Sequence, residues 1–191
     1  SKLVIHTQNP ISRADLVPII DELSKKGKLE IVEKTIHAPG LFYMGDIYVY
    51  PTRLEGIGLT IAEAISSGLG IIVPDNAPMN EFCNKDHGCL INISRFTARA
   101  DGYYWPKSEA DINHLAQVMD DLALNTDKVC KMKIAARNFA ETNLNAFENF
   151  KQLINIINDT KFTELNPKTK TLINKYDMAG MKRFNKFKIN N

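Results

Sequence analysis

Short apolar runs alternate with amphipathic stretches over the first half of the chain. Residues 2–8 (KLVIHTQ) are largely β-branched and apolar and are closed by Asn9-Pro10, which predicts a buried strand. Ser12 with Asp15 three residues on reads as a helix start, and Leu16, Ile19, Ile20 and Leu23 recur at helical spacing until Gly27. Residues 29–36 (LEIVEKTI) read as a second strand, 37–45 as a short, partly helical crossover, and 46–50 (DIYVY) as a third strand stopped by Pro51. A Gly-rich turn then leads into a helix over 59–67, a strand over 70–73, a turn at Pro74-Asp75-Asn76, a helical turn over 79–83 and a strand over 88–93. Strands that recur about every 20 residues with helices between them require right-handed parallel crossovers. The pattern therefore predicts an α/β fold built on a doubly wound, Rossmann-like parallel sheet.

After Ile93 the grammar changes. Residues 94–107 read as an irregular loop containing Tyr103, Tyr104 and the only tryptophan, Trp105, a cluster expected to pin that loop to the body. Helices are expected over 109–124, 127–141 and 146–158, and Asn166-Pro167 then breaks the chain before a Lys-rich helical tail. This divides the sequence into a Rossmann-like domain over 1–160 and a basic tail over 161–191. The chain enters a strand at once with Ser1 in place of an initiator Met, which predicts a cloned fragment or a processed product.

Composition changes the picture in two places. The 191 residues, 44% hydrophobic and 24% charged, suffice for one domain with a real core, and no apolar run approaches the roughly 20 residues a membrane helix needs. The net charge of +2 hides a split: residues 161–191 hold eight Lys or Arg against two acidic residues, so the remainder carries −4. Met181, Phe184, Phe187 and Ile189 among Lys182, Arg183, Lys186 and Lys188 suit either an anionic membrane surface or packing against another domain. Cys83, Cys89 and Cys130 lack metal-ligand spacing and are expected to be reduced, intracellular thiols, while His6, His37, His87 and His114 show no zinc-site spacing. No metal and no nucleic acid is expected, and the chain is placed in the cytoplasm or on the membrane surface facing it.

The chemistry concentrates between Tyr48 and Pro74. Ligands bind at the carboxyl ends of strands in open α/β sheets, and the turn after residues 46–50 occupies such a place. Gly56 and Gly58 let the backbone turn tightly and approach a ligand closely. The helix that follows offers the unpaired amides of Gly58, Leu59 and Thr60 and the positive end of its dipole, a site suited to a phosphate. Glu63 lies one turn into that helix, and its side chain leans back toward the N-terminus, where a carboxylate accepts two bonds from a ribose diol. Glu55 stands across the loop. Asp75, Glu81 and Asp86 read as turn and capping residues rather than a metal or acid–base set.

The string DIYVYPTRLEGIGLTIAEAISSGLGIIVPDNAPMNEF resembles the signature of the "glycosyl transferases group one" family, retaining enzymes of GT-B fold with an E-x7-E motif. The resemblance runs from about Leu29 to Leu124 and implies a donor-binding C-terminal half that transfers a hexosyl unit from a UDP, GDP or similar sugar donor. It places Glu55 and Glu63 on the two motif glutamates. Glu63 would bind ribose. Glu55, the catalytic candidate, and the amides of Gly56, Ile57 and Gly58 would hold the donor sugar. Leu59 and Thr60 would touch the diphosphate, and Lys34, Thr35 and Ile36 would lie beside the base. Family members also carry an upstream strand and helix that supply an Arg and a Lys to clamp the diphosphate; neither Arg13 nor Arg53 matches them. An N-terminal acceptor domain or a partner chain is implied across the cleft. A non-catalytic nucleotide-sugar-binding module, completing a partner's active site, is the alternative; a sugar-nucleotide epimerase lacks the E-x7-E string.

Overall fold

The computed structural model describes residues 1–100, 104–161, 164 and 166–175. Contacts divide the chain into two units, residues 1–149 and 150–191. Within the first unit, β1 (Leu3–Thr7) and β2 (Leu29–Glu33) pair in parallel, joined by helix α1 (Val17–Lys25). A 3₁₀ turn at Phe42–Met44 leads to β3 (Ile47–Val49), helix α2 (Leu59–Ser66), β4 (Gly70–Pro74), a second 3₁₀ turn at Met79–Phe82 and β5 (Gly88–Ile91). These three strands form a parallel sheet in the order β3-β4-β5. The α/β, parallel-strand architecture is the one the periodicity predicts. Among the described residues its ladder falls into two separately hydrogen-bonded sheets rather than one.

Alternation along the strands sends side chains to two faces. Tyr48, Ile71 and Val73 join Ile61, Ala64 and Ile65 of α2 in one apolar cluster, and Ile47, Val49, Ile72 and Ile91 join a second. Helices α3 (Ile112–Leu124) and α4 (Thr126–Asn143) complete the covering. Leu122 and Met132 enter the second cluster; Ala136 and Ala140 enter the first. The sheet is thus wrapped on both sides, and every residue of β4 is buried. Each fully buried Ile or Val there contributes about 1.5–3 kcal/mol relative to exposure. Lys133 Nζ reaches Asp46 Oδ1 at 2.6 Å, and Arg137 Nη1 donates to the Ser66 carbonyl at 2.7 Å, a cation capping the C-terminus of α2.

Three expectations change. Helix α1 begins at Val17 rather than after Ser12: Leu16 occupies the cap, Pro18 suits the first turn, and Asp15 is engaged by Arg13 instead of capping. The described residues of 94–107 are not all irregular; β6 (Ile93–Ala98) and β7 (Pro106–Ala110) pair as an antiparallel hairpin with a bulge between Ile93 and Arg95. Its β6 strand is polar and mostly exposed on both faces, so no period-two apolar stripe marks it in the sequence. Glu109, expected in a helix, belongs to β7, and Asp111 caps α3 by accepting from the amides of Asn113 and His114. Tyr104 and Trp105 are exposed rather than packed into the body, while Tyr103 lies outside the described residues.

In the second unit, α5 (Ala146–Asp159) continues past residue 150, and residues 167–175 are helical. Phe150, Ile154 and Ile157 on α5 are exposed. Met181, Lys182, Arg183, Phe184, Lys186, Phe187, Lys188 and Ile189 of the basic tail lie outside the described residues. No described helix is long and apolar enough to cross a membrane.

A Cβ at Gly88 would meet Cys83 Sγ at 2.4 Å and Ile71 Cγ1 at 2.8 Å, well inside contact distance. Gly88→Ala is expected to lower unfolding stability by about 1–3 kcal/mol through overpacking. Ile134→Ala, at a largely exposed position, should stay within about 0.5 kcal/mol. Urea unfolding of both variants checks the pair.

Candidate functional site

The chain leaves β3 at its carboxyl end, turns at Pro51, and runs through residues 51–58 into α2. Gly58 is the N-cap of α2, buried and left-handed at φ +83°, so the backbone there demands glycine. Its carbonyl accepts the first helical bonds from the amides of Ile61 and Ala62 at 3.0 and 3.4 Å. The amides of Leu59 and Thr60 come before those bonds and have no acceptor within the helix. No side chain caps this helix start, so its positive end faces outward uncompensated. Gly56, Ile57 and Leu59 are exposed beside it.

The two motif glutamates differ in setting. Glu55 is half-buried and Glu63 is exposed. Glu55 Oε1 accepts a short hydrogen bond from the Tyr50 hydroxyl and a long one, 3.4 Å, from Thr52 Oγ1. Both carboxylates act on the Tyr48 phenol. Burial is the main cause that holds that phenol above its usual range, and the charges of Tyr50, Glu55 and Glu63 add in the same direction. The loop therefore carries both glutamates into the electrostatic field of one tyrosine. Thr60 Oγ1 is buried close to the Tyr48 and Tyr50 phenols, where its hydroxyl lowers both against the effect of burial, although no hydrogen bond of ordinary geometry reaches it among the described residues.

The stretch before the Gly loop is tied down from a distance. Ser108, fully buried on β7, donates its amide to the Arg53 carbonyl at 2.8 Å and its hydroxyl to the same oxygen at 3.3 Å. Arg53 pairs with Glu109 and reaches Thr97 Oγ1 at 3.4 Å, and Arg95 binds the other oxygen of Glu109. Arg95 holds the Glu109 carboxyl below its ordinary value, with Arg53 and Lys107 adding to the effect. Arg13 is likewise engaged, by Asp15. Both cations considered for a diphosphate clamp thus already face a carboxylate.

Lys34, Thr35 and Ile36 follow the end of β2, and the Lys34 carbonyl accepts from His6 Nε2 at 2.8 Å. Among the described residues no hydrogen bond or ion pair joins this segment to the Gly loop. Asp75 accepts from Asn80 Nδ2 at 3.0 Å, the turn role its sequence setting predicts. Among the described residues no group of three or more His, Cys, Asp or Glu is placed to hold a metal ion. Tyr48 and Tyr50 went unread in the sequence, where two tyrosines at strand spacing look like core. Their i, i+2 placement at the last turn before Pro51 was the available signal.

No family model matches the chain, and no curated protein matches its sequence. Solved structures do match in fold. Anabaena HepE in complex with UDP superposes with a TM-score of 0.62 at 14% identity, over 83% of this chain and 41% of that one. A glycosyltransferase from Rickettsia africae gives 0.58 at 18% identity, over 83% and 41%. The pneumococcal O-GlcNAc transferase GtfA in complex with UDP and GlcNAc gives 0.56 at 17%, over 83% and 30%. The chain spans less than half the length of each. The fold is therefore a Rossmann-like half of the GT-B architecture, the fold of these glycosyltransferases.

Gly58→Ala forces an L side chain into left-handed backbone, with its Cβ 3.2 Å from Ile61 Cδ1. The expected cost is about 1–2 kcal/mol of unfolding free energy, read from denaturant midpoints. Burial pushes the Cys83 thiol up to about 12 and also raises Cys89, whereas Cys130 is exposed. At neutral pH a thiol-alkylating reagent should label Cys130 faster than the partly covered Cys83 and Cys89, and unfolding should remove the difference, as mass spectrometry of the digested protein would show.

Proposed function

We propose that this chain is the nucleotide-sugar-binding half of a retaining glycosyltransferase that transfers a hexosyl unit. The observation that carries the reading is the Gly58 turn. It presents an uncapped helix start at the carboxyl end of β3, with Thr60 Oγ1 unpaired and a glutamate on either side. Fold similarity to UDP-bound glycosyltransferases supports it.

In this reading the amides of Leu59 and Thr60 and the helix dipole take the diphosphate, where negative charge develops as the nucleoside diphosphate leaves. Glu63 accepts the ribose hydroxyls. Glu55, with the amides of Gly56, Ile57 and Gly58, holds the donor sugar, and Lys34, Thr35 and Ile36 border the base. The acceptor comes from another domain or a partner chain, and the anomeric configuration is retained. Attachment to a cytoplasmic membrane face through residues 161–191 belongs to the same proposal, supported by their charge of +6 and by exposed Leu172 and Ile173.

One observation favours a second reading, a binding module that completes a partner's site. Arg13 and Arg53 are both engaged by carboxylates, so neither stands ready for a phosphate.

Calorimetric titration with UDP, GDP, ADP and their glucose conjugates tests the donor site. One diphosphate is expected to bind, and Glu63→Ala to weaken it at least tenfold, or about 1.4 kcal/mol. Unchanged affinity in that variant removes the ribose role, and silence toward every nucleotide removes the donor site.

A further inference from the structure

We propose that Tyr50 is a positioning residue: it holds one oxygen of Glu55 so that the other accepts a hydroxyl of the donor sugar. This rests on the donor-site reading above and deepens it. The proposal makes Tyr50 the group that lets the site tell a glycosylated nucleotide from a free one.

The geometry is built from the strand outward. The Tyr50 amide donates to the Ile72 carbonyl at 2.9 Å, which extends the β3–β4 ladder one residue beyond Val49 and fixes the Tyr50 backbone to the most buried strand of the fold. Its ring stacks on Tyr48 with centroids 5.3 Å apart and planes inclined by 19°. Tyr48 is in turn held edge-on by Phe42 at 5.8 Å. With backbone and ring both held, the hydroxyl donates to Glu55 Oε1, with the Thr60 and Thr52 hydroxyls beside it. Thr52 Oγ1 approaches the same oxygen. Among the described residues no donor reaches Glu55 Oε2.

The chemistry follows from that asymmetry. A hydrogen bond from a neutral hydroxyl to a carboxylate is charge-assisted and stronger than a neutral one, so it fixes the carboxylate plane. Glu55 sits on an irregular loop between Pro51 and Gly58, where the side-chain hydroxyls of Tyr50 and Thr52 are what reach its carboxylate. A free glutamate would lose rotamer entropy each time it bound a sugar; one already pinned at Oε1 loses less. Burial raises the Tyr50 phenol above its usual range, with the bond to Glu55 next in effect, so it keeps its proton and remains a donor.

Tyr50→Phe removes the hydroxyl and keeps the ring that stacks on Tyr48. The probes are UDP, GDP and ADP with UDP-glucose, UDP-N-acetylglucosamine, GDP-mannose and ADP-glucose, titrated calorimetrically into the full chain and its variants. Wild type should bind at least one conjugate tighter than its own diphosphate. In Tyr50→Phe that conjugate should weaken by roughly tenfold while the diphosphate is unchanged. In a Glu55→Ala background the same substitution should have no further effect, a coupling that a purely structural tyrosine would not show.

Equal weakening of conjugate and diphosphate overturns the proposal, because Tyr50 would then only support the loop. So does unchanged binding of both, additive loss in the double variant, or a wild type that binds every conjugate no tighter than its diphosphate. A wild type that binds no nucleotide at all overturns the donor-site reading itself, and this inference with it.

Discussion

Every residue of β4 is buried, and this double-sided burial is the constraint on which the rest of the first unit depends. A parallel strand with no solvent face must be covered on both sides, so α2 and part of α4 take one side and α3 with the start of α4 take the other. Ile71 and Val73 then dictate which side of the neighbouring β3 looks toward α2, and Tyr48 lies on that side with them. Tyr50 continues the same alternation past the end of β3. The tyrosines thus reach the Gly loop because the core demands their strand in this register. A slip of one residue would exchange Tyr48 for an aliphatic neighbour and leave the loop with no phenol to meet Glu55.

The loop itself balances charge against geometry. The uncapped start of α2 is a partial positive charge, and Glu55 and Glu63 are the carboxylates nearest to it in sequence. Neither closes it as a cap. Glu55 is drawn to Tyr50, and Glu63, one turn in, is exposed. The uncapped dipole and the outward glutamate therefore stand on the same turn, with the Thr60 hydroxyl buried beneath it. On the approach to the loop, Ser108 fixes the Arg53 carbonyl and Glu109 draws in both Arg53 and Arg95, so the hairpin stiffens the segment that enters the turn.

Stability is uneven across the first unit. Around β4 the side chains are packed on all sides, while α1 buries no residue and leaves Val17 and Ile19 about half exposed. β1 buries none either, and Leu29 is the only buried residue of β2. Elements with so few buried contacts are the ones that open first. Residues 34–36 follow this thinly packed pair of strands, whereas the Gly58 turn is mounted on the buried sheet.

What the sequence determined alone is what short-range rules decide. Glycine at a left-handed helix cap, proline ending a strand, apolar positions at period two or 3.6, and free amides at a helix start are properties of a few adjacent residues. They were enough to place β1, β3, α2, β4 and β5 within two residues, while β2 stops at Glu33, three residues short of its expected end. They misplaced the start of α1, because Ser12 and Pro18 both signal a helix entry, while Asp15 is taken by Arg13. They missed the β6–β7 hairpin, because a strand exposed on both faces leaves no apolar stripe. Tertiary structure alone decided that Arg53 would meet Glu109, 56 residues away. It also decided that a core-like tyrosine would turn its hydroxyl to Glu55. Such pairings depend on which distant elements the covered sheet brings side by side, and no local pattern encodes that.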